Sequence, residues 1–107
     1  MDFDLDVGCQ GGIYVVRVCG DVDILTAPLL DSCLERLIAA GNTEIAVDLE
    51  SCSYFDSEGI KILIKALHAV EARGRVVICG ARGMVLRIFE VSGLQTLFSI
   101  LPSTDDL

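Results

Sequence analysis

The chain has 107 residues, 52% of them hydrophobic and 22% charged, with a formal net charge of -8. That balance excludes a disordered chain, and the longest apolar stretch, Ile60 to Val70 broken by Lys61, Lys65 and His68, falls short of the roughly 18 residues a membrane span needs. The acid excess repels phosphate backbones, so nucleic acid is a poor partner and membrane insertion is not expected.

The deficit lies in the first half. Residues 1–50 hold ten acids against Arg17 and Arg36, whereas residues 51–104 hold four acids against six bases. A protein partner or a small ligand suits such a surface better than a polyanion. The opening Met1-Asp2-Phe3-Asp4-Leu5-Asp6 is acidic where a signal peptide is basic, which implies a cytoplasmic location. The length predicts one domain over residues 1–107.

In chain order, Phe3, Leu5 and Val7 alternate with aspartates, the period-2 pattern of a half-buried edge strand. The turn Gly8-Cys9-Gln10-Gly11-Gly12 leads into a strand over Ile13 to Cys19, which predicts an antiparallel hairpin closed off by Gly20-Asp21-Val22-Asp23. Leu30, Cys33, Leu34, Leu37 and Ile38 recur at helical spacing, with Pro28 in the first turn, Thr26 as the expected cap and Gly41-Asn42 as the stop.

A strand at Ile45 to Leu49 follows, then a loop and a helix from about Ser57 to Ala72. Its buried stripe is Ile60, Leu63, Ile64, Leu67 and Val70, and Lys61, Lys65 and His68 make its solvated face. Next come a strand at Val76 to Cys79, a short helix over Gly83 to Ser92 with Val85, Ile88 and Phe89 inward, a weak last strand near Leu97 to Ile100, and a polar tail. The order β-β-α-β-α-β-α argues for an α/β domain in which an N-terminal antiparallel hairpin joins a mostly parallel, helix-covered sheet.

Chemistry is sparse. The five cysteines form no C-x-x-C and mostly sit among apolar neighbours, so they read as small core hydrophobes, with a redox-sensitive pair as the alternative. A zinc site has only His68 to draw on. That histidine lies eleven residues beyond Ser57 on one helix, about three turns away, too far to activate the hydroxyl. Gly80-Ala81-Arg82-Gly83 lacks the Gly-Lys-Ser/Thr ending of a phosphate loop. Asp21, Asp23, Asp48 and Asp56 suggest a receiver-like magnesium site with Asp48 as phosphoacceptor, but adjacent acids after the first strand and a late strand-end lysine are both missing. No catalytic residue, resident metal or cofactor is expected.

Ser57 stands at the start of a helix, where four backbone N–H groups lack internal partners. Its hydroxyl can cap the helix, which contributes about 1 kcal/mol, or accept a modification. Three segments decide which. Asp48-Leu49 followed by Asp56-Ser57-Glu58-Gly59-Ile60, then Gly20-Asp21-Val22-Asp23 with Thr26-Ala27 and Leu30, and Val85-x-x-Ile88-Phe89-x-x-Ser92-Gly93-Leu94 resemble the signature segments of STAS domains, specifically the bacterial anti-sigma factor antagonists. Glu58 stands where the family often has a second serine, and Ile60 where it has leucine.

The resemblance implies that Ser57 is the residue that a serine-kinase anti-sigma factor phosphorylates and a serine phosphatase resets, so that the protein is a substrate and not an enzyme. It places the partner surface on Asp21, Asp23, Thr26, Asp56, Ser57, Glu58, Ile60 and Lys61. Asp23 serves there either as a helix cap or as a partner contact, Asp56 as a structural residue of its loop, and Lys61 as a solvated residue or a contact. A second use of the same fold is a STAS subunit of a membrane transport assembly. The residues imply no particular oligomeric state.

Overall fold

The computed structural model describes residues 2–107. Five strands lie side by side in chain order: β1 (Asp4–Gln10), β2 (Ile13–Cys19), β3 (Glu44–Asp48), β4 (Arg75–Cys79) and β5 (Ser99–Leu101). β1 runs antiparallel to β2 and every later neighbour is parallel. Between them run α1 (Ala27–Ala39), α2 (Ser57–Val70) and α3 (Gly83–Val91). Because strands are added in one direction, crossovers of one hand lay every helix on the same side of the sheet.

That side holds the main core. Val16, Val18, Ile45, Val47, Val76 and Ile78 of the sheet meet Leu30 and Leu34 of α1, Leu63 and Val70 of α2, and Val85 and Phe89 of α3. Phe89 stacks on Phe55 at 5.7 Å and meets Phe98 edge-on at 6.5 Å, so one aromatic file ties α3 to the loop before α2. Lys65 of α2 clips onto Asp31 and Glu35 of α1 at 3.2 and 2.9 Å.

The opposite face is covered differently. Ile13, Val15, Ala46, Val77 and Cys79 form a second buried cluster against Leu101 and Leu107. The chain's last residues fold back across it through a one-turn 3-10 helix, Thr104–Asp106, and Gln10 Nε2 donates to the Thr104 carbonyl at 2.8 Å. The tail expected to be merely polar therefore roofs part of the sheet.

Several expectations shift. The hairpin turn is only Gly11-Gly12, both at positive φ, so β1 continues through Gly8, Cys9 and Gln10. As an edge strand it buries little: Val7 is 43% exposed and Cys9 is open to solvent, while Cys33, Cys52 and Cys79 are the buried cysteines. α2 stops at Val70, two residues short of the expected Ala72, and is prolonged by a 3-10 turn, Glu71–Arg73.

Candidate functional site

Two loops converge at one end of the sheet, the β2–α1 loop and the β3–α2 loop. They are zipped by backbone: the Val22 N–H donates to the Tyr54 carbonyl at 2.8 Å, the Asp56 N–H to the Val22 carbonyl at 3.3 Å, and the Gly20 N–H to the Ser51 carbonyl at 3.1 Å. Val22 and Phe55, both buried, form a parallel bridge. The sequence places these segments more than thirty residues apart, and this bridge makes them one surface.

Within the first loop, Asp23 does the capping. Its Oδ1 accepts from the N–H groups of Leu25 and Thr26 at 2.9 and 3.1 Å, while Thr26 Oγ1 accepts from the Asp23 N–H at 3.0 Å. This is a reciprocal capping box. Thr26, expected as the cap and as a partner contact, is instead buried, and its hydroxyl donates to the Asp21 carbonyl at 2.7 Å. Thr26 keeps the position immediately before Ala27 but makes no side-chain cap bond into the helix, because its hydroxyl is turned back to Asp21 and Asp23. Asp23 supplies the acceptor for the N–H groups of this turn.

At the second loop the cap is Asp56, whose Oδ1 accepts from the Glu58 N–H at 2.9 Å. Its other oxygen accepts from the Tyr54 hydroxyl at 3.3 Å. Ser57 is thus the first residue of α2 and not its cap. It is exposed, and none of the side-chain hydrogen bonds among the described residues involves it. The hydroxyl stands at the positive end of the helix dipole with no structural duty.

Glu58, half-buried, pairs with Lys61 at 3.3 Å, while the lysine side chain itself stays exposed. Ile60 is half-buried and packs against the core, which makes it a support more than a contact. Directly beneath, a Cβ on Gly59 would lie 2.5 Å from the Phe55 ring, so the first turn of α2 rests on that ring with no room to spare.

Asp21, Asp23 and Asp56 act together on one group. The Tyr54 hydroxyl is held above its usual pKa, first by the charge of Asp56, then by desolvation and its hydrogen bond to Asp56, and further by Asp23 and Asp21. Asp48 is not part of this cluster. It points to the opposite face of the sheet, where Arg17 Nε donates to it at 3.2 Å and the Glu50 N–H at 3.1 Å. The magnesium reading built on Asp48 therefore loses its central ligand, and no group of three or more ligating side chains occurs among the described residues.

Sequence reasoning missed the apolar surroundings. Ile24 and Leu25, flanked by the capping residues, are 70% and 77% exposed, and Tyr54, Met84 and Val91 are exposed close by. The signal was present in Met84, Ile88 and Val91 at helical spacing, a second apolar stripe beside the buried Val85 and Phe89. Ile88, expected inward, is half-buried and is the member of this second stripe that packs partly against the core.

The family model for the STAS domain matches residues 4–107. The chain belongs to the STAS domain family. Over 106 residues, 98% of each chain, this STAS domain is 30% identical to the anti-sigma-B factor antagonist of Staphylococcus aureus. It superimposes on an anti-sigma factor antagonist from Mycobacterium paratuberculosis with a TM-score of 0.86 and 28% identity, covering 98% of this chain and 90% of that one. The Bacillus cell fate determinant SpoIIAA in its phosphorylated form shares the fold at a TM-score of 0.70 and 22% identity, over 92% and 90% of the two chains. No helix of this STAS domain is long and apolar enough to cross a membrane among the described residues.

Proposed function

We propose that this STAS domain is an anti-sigma factor antagonist that binds a serine-kinase anti-sigma factor through the Ser57 end and is switched off by phosphorylation of Ser57. The observation that carries this reading is the exposed Ser57 hydroxyl, released from capping by Asp56 and aimed outward on the first turn of α2. The protein acts as binding partner and substrate, in the cytoplasm, and a serine phosphatase restores it. Curated relatives named as anti-sigma-B factor antagonists, matched over 98% of this chain, support the role.

In the phosphorylation step Ser57 Oγ attacks the γ-phosphorus of the kinase's ATP, the bond to the ADP oxygen breaks, and the hydroxyl proton leaves to a base on the kinase. The product carries a charge of about -2 beside Asp56 and Glu58, which the helix dipole offsets by only about 0.3 to 1 kcal/mol. An anion on the partner about 6 Å away, a carboxylate or the diphosphate left by the transfer, repels it by roughly 1 to 5 kcal/mol. At about 1.4 kcal/mol per tenfold in affinity, that releases the partner without refolding either protein.

The test is calorimetric titration of the kinase with Ser57→Ala and Ser57→Asp, alongside intact mass after incubation with ATP. Ser57→Ala is expected to bind constitutively and gain no phosphate, and Ser57→Asp to bind weakly. Equal affinities remove the switch, and an unrelated transport subunit recovered as the specific partner would replace transcription control altogether.

A further inference from the structure

We infer that the groove between Tyr54 and the outer stripe of α3 is a second part of the same docking surface, one that receives an apolar side chain of the anti-sigma kinase with a lysine or arginine placed about one helical turn from it. The inference rests on the functional reading above. Three observations carry it.

The groove is lined by Tyr54, Phe55 and Asp56 on one side and by Met84, Arg87, Ile88 and Val91 on the other. Phe55 and Ile88 form its packed floor, while Met84 and Val91 are 76% and 69% exposed on its α3 rim. A nine-residue helix that keeps two apolar stripes, only one of them covered by its own fold, leaves the other as a contact surface. The groove is also continuous with Ser57, since Asp56 both lines it and caps the helix that Ser57 begins.

Charge selects the occupant. The Tyr54 hydroxyl donates to Asp56 at 3.3 Å and the Val22–Phe55 bridge brings the Asp21 and Asp23 loop alongside. The tyrosine wall therefore separates the apolar slot from an acidic corner, with Arg87 on the opposite, α3 side of the groove. Lys61, the nearest lysine on α2, is already paired with Glu58. A second copy of this chain would bring another acidic corner, on a chain of net charge -8, against the first, and like charges facing each other oppose association. A segment with an apolar anchor and a neighbouring cation satisfies both halves of the site. The slot then supplies affinity and Ser57 supplies the switch.

The test uses the unphosphorylated full chain and its serine-kinase anti-sigma factor. Met84→Glu and Val91→Glu alter exposed side chains, and thermal melts check that both variants fold. Each is expected to weaken binding about tenfold and to raise KM for phosphorylation of Ser57 with kcat kept, the pattern of lost docking at an anchor position. Asp21→Asn, a side chain with no hydrogen bond to lose, is expected to weaken binding and flatten its salt dependence.

Affinities within about twofold of the parent for both α3 variants, with Ser57→Asp still dissociating the complex, overturn the groove and leave the Ser57 switch standing. Tighter binding by Asp21→Asn overturns the assignment of a basic partner segment. If Ser57→Asp also binds as well as the parent, the functional reading itself has failed.

Discussion

The two faces of the sheet are built on different principles. The helix-covered face is a continuous apolar core, filled by three helices and closed by the Phe55, Phe89 and Phe98 file. The other face is a thin cluster roofed by the chain's last residues, with Asp48 buried in it beside Arg17. The first face carries stability and also holds the Ser57 turn in place, because Phe55 belongs both to the core and to the loop. The second face contributes less and reaches the site through the strands and through the bond from the Glu50 N–H, early in the β3–α2 loop, to Asp48.

The comparison is sharpened first on the strong side. Phe89→Ala removes the centre of the aromatic file and is expected to cost about 3 to 5 kcal/mol, read from urea unfolding. Gly59→Ala pushes a methyl group into the Phe55 ring and is expected to cost about 1 to 3 kcal/mol. Because the ring also carries the loop, the same variant should slow phosphorylation of Ser57, which a kinase assay reads beside the melt.

On the thin side, Asp48→Ala deletes the acceptor of the Glu50 N–H and the Arg17 pair. With Arg17 half exposed and free to return to water, the expected loss is about 1 to 3 kcal/mol, below that of Phe89→Ala. A loss above that of Phe89→Ala would reverse the ranking of the two faces.

The smallest effect concerns Cys79. Burial first, then the charges of Asp48 and Asp106, push its thiol from 9.0 up to about 11. A thiol whose folded pKa is raised keeps its proton in the folded state, so its contribution is fully present below about 9 and is lost as pH rises toward about 11. Unfolding free energy should therefore fall across that window, and Cys79→Ala should flatten the fall. In a timed alkylation Cys9, exposed on the edge strand, should react first and Cys79 last.

Hydrophobic period and turn chemistry made most of the elements readable: the hairpin, the three helices and the parallel strands all exist in the expected order, with bounds shifted by a few residues in β1, α2 and β5. What escaped was whatever depends on contact between distant segments. Thr26 does stand at the cap position, yet its hydroxyl turns back to Asp21, and Asp23, for which a cap and a partner contact were both open, supplies the side-chain acceptor. Cys9 reads as part of the hairpin turn with Gly8 and Gln10, but the pairing of Cys9 with Tyr14 carries the edge strand through it.

The amino-acid sequence by itself determined the fold class, the start of α2 at Asp56-Ser57 and the family likeness, because local spacing of apolar and capping residues encodes them directly. Tertiary structure alone decided that Asp56 caps and Ser57 stays free, that Asp48 turns away from the site, and that Tyr54 and α3 make a groove beside it. Those outcomes depend on which backbone groups meet across the Val22–Phe55 bridge, and a linear chain carries no record of such meetings until it folds.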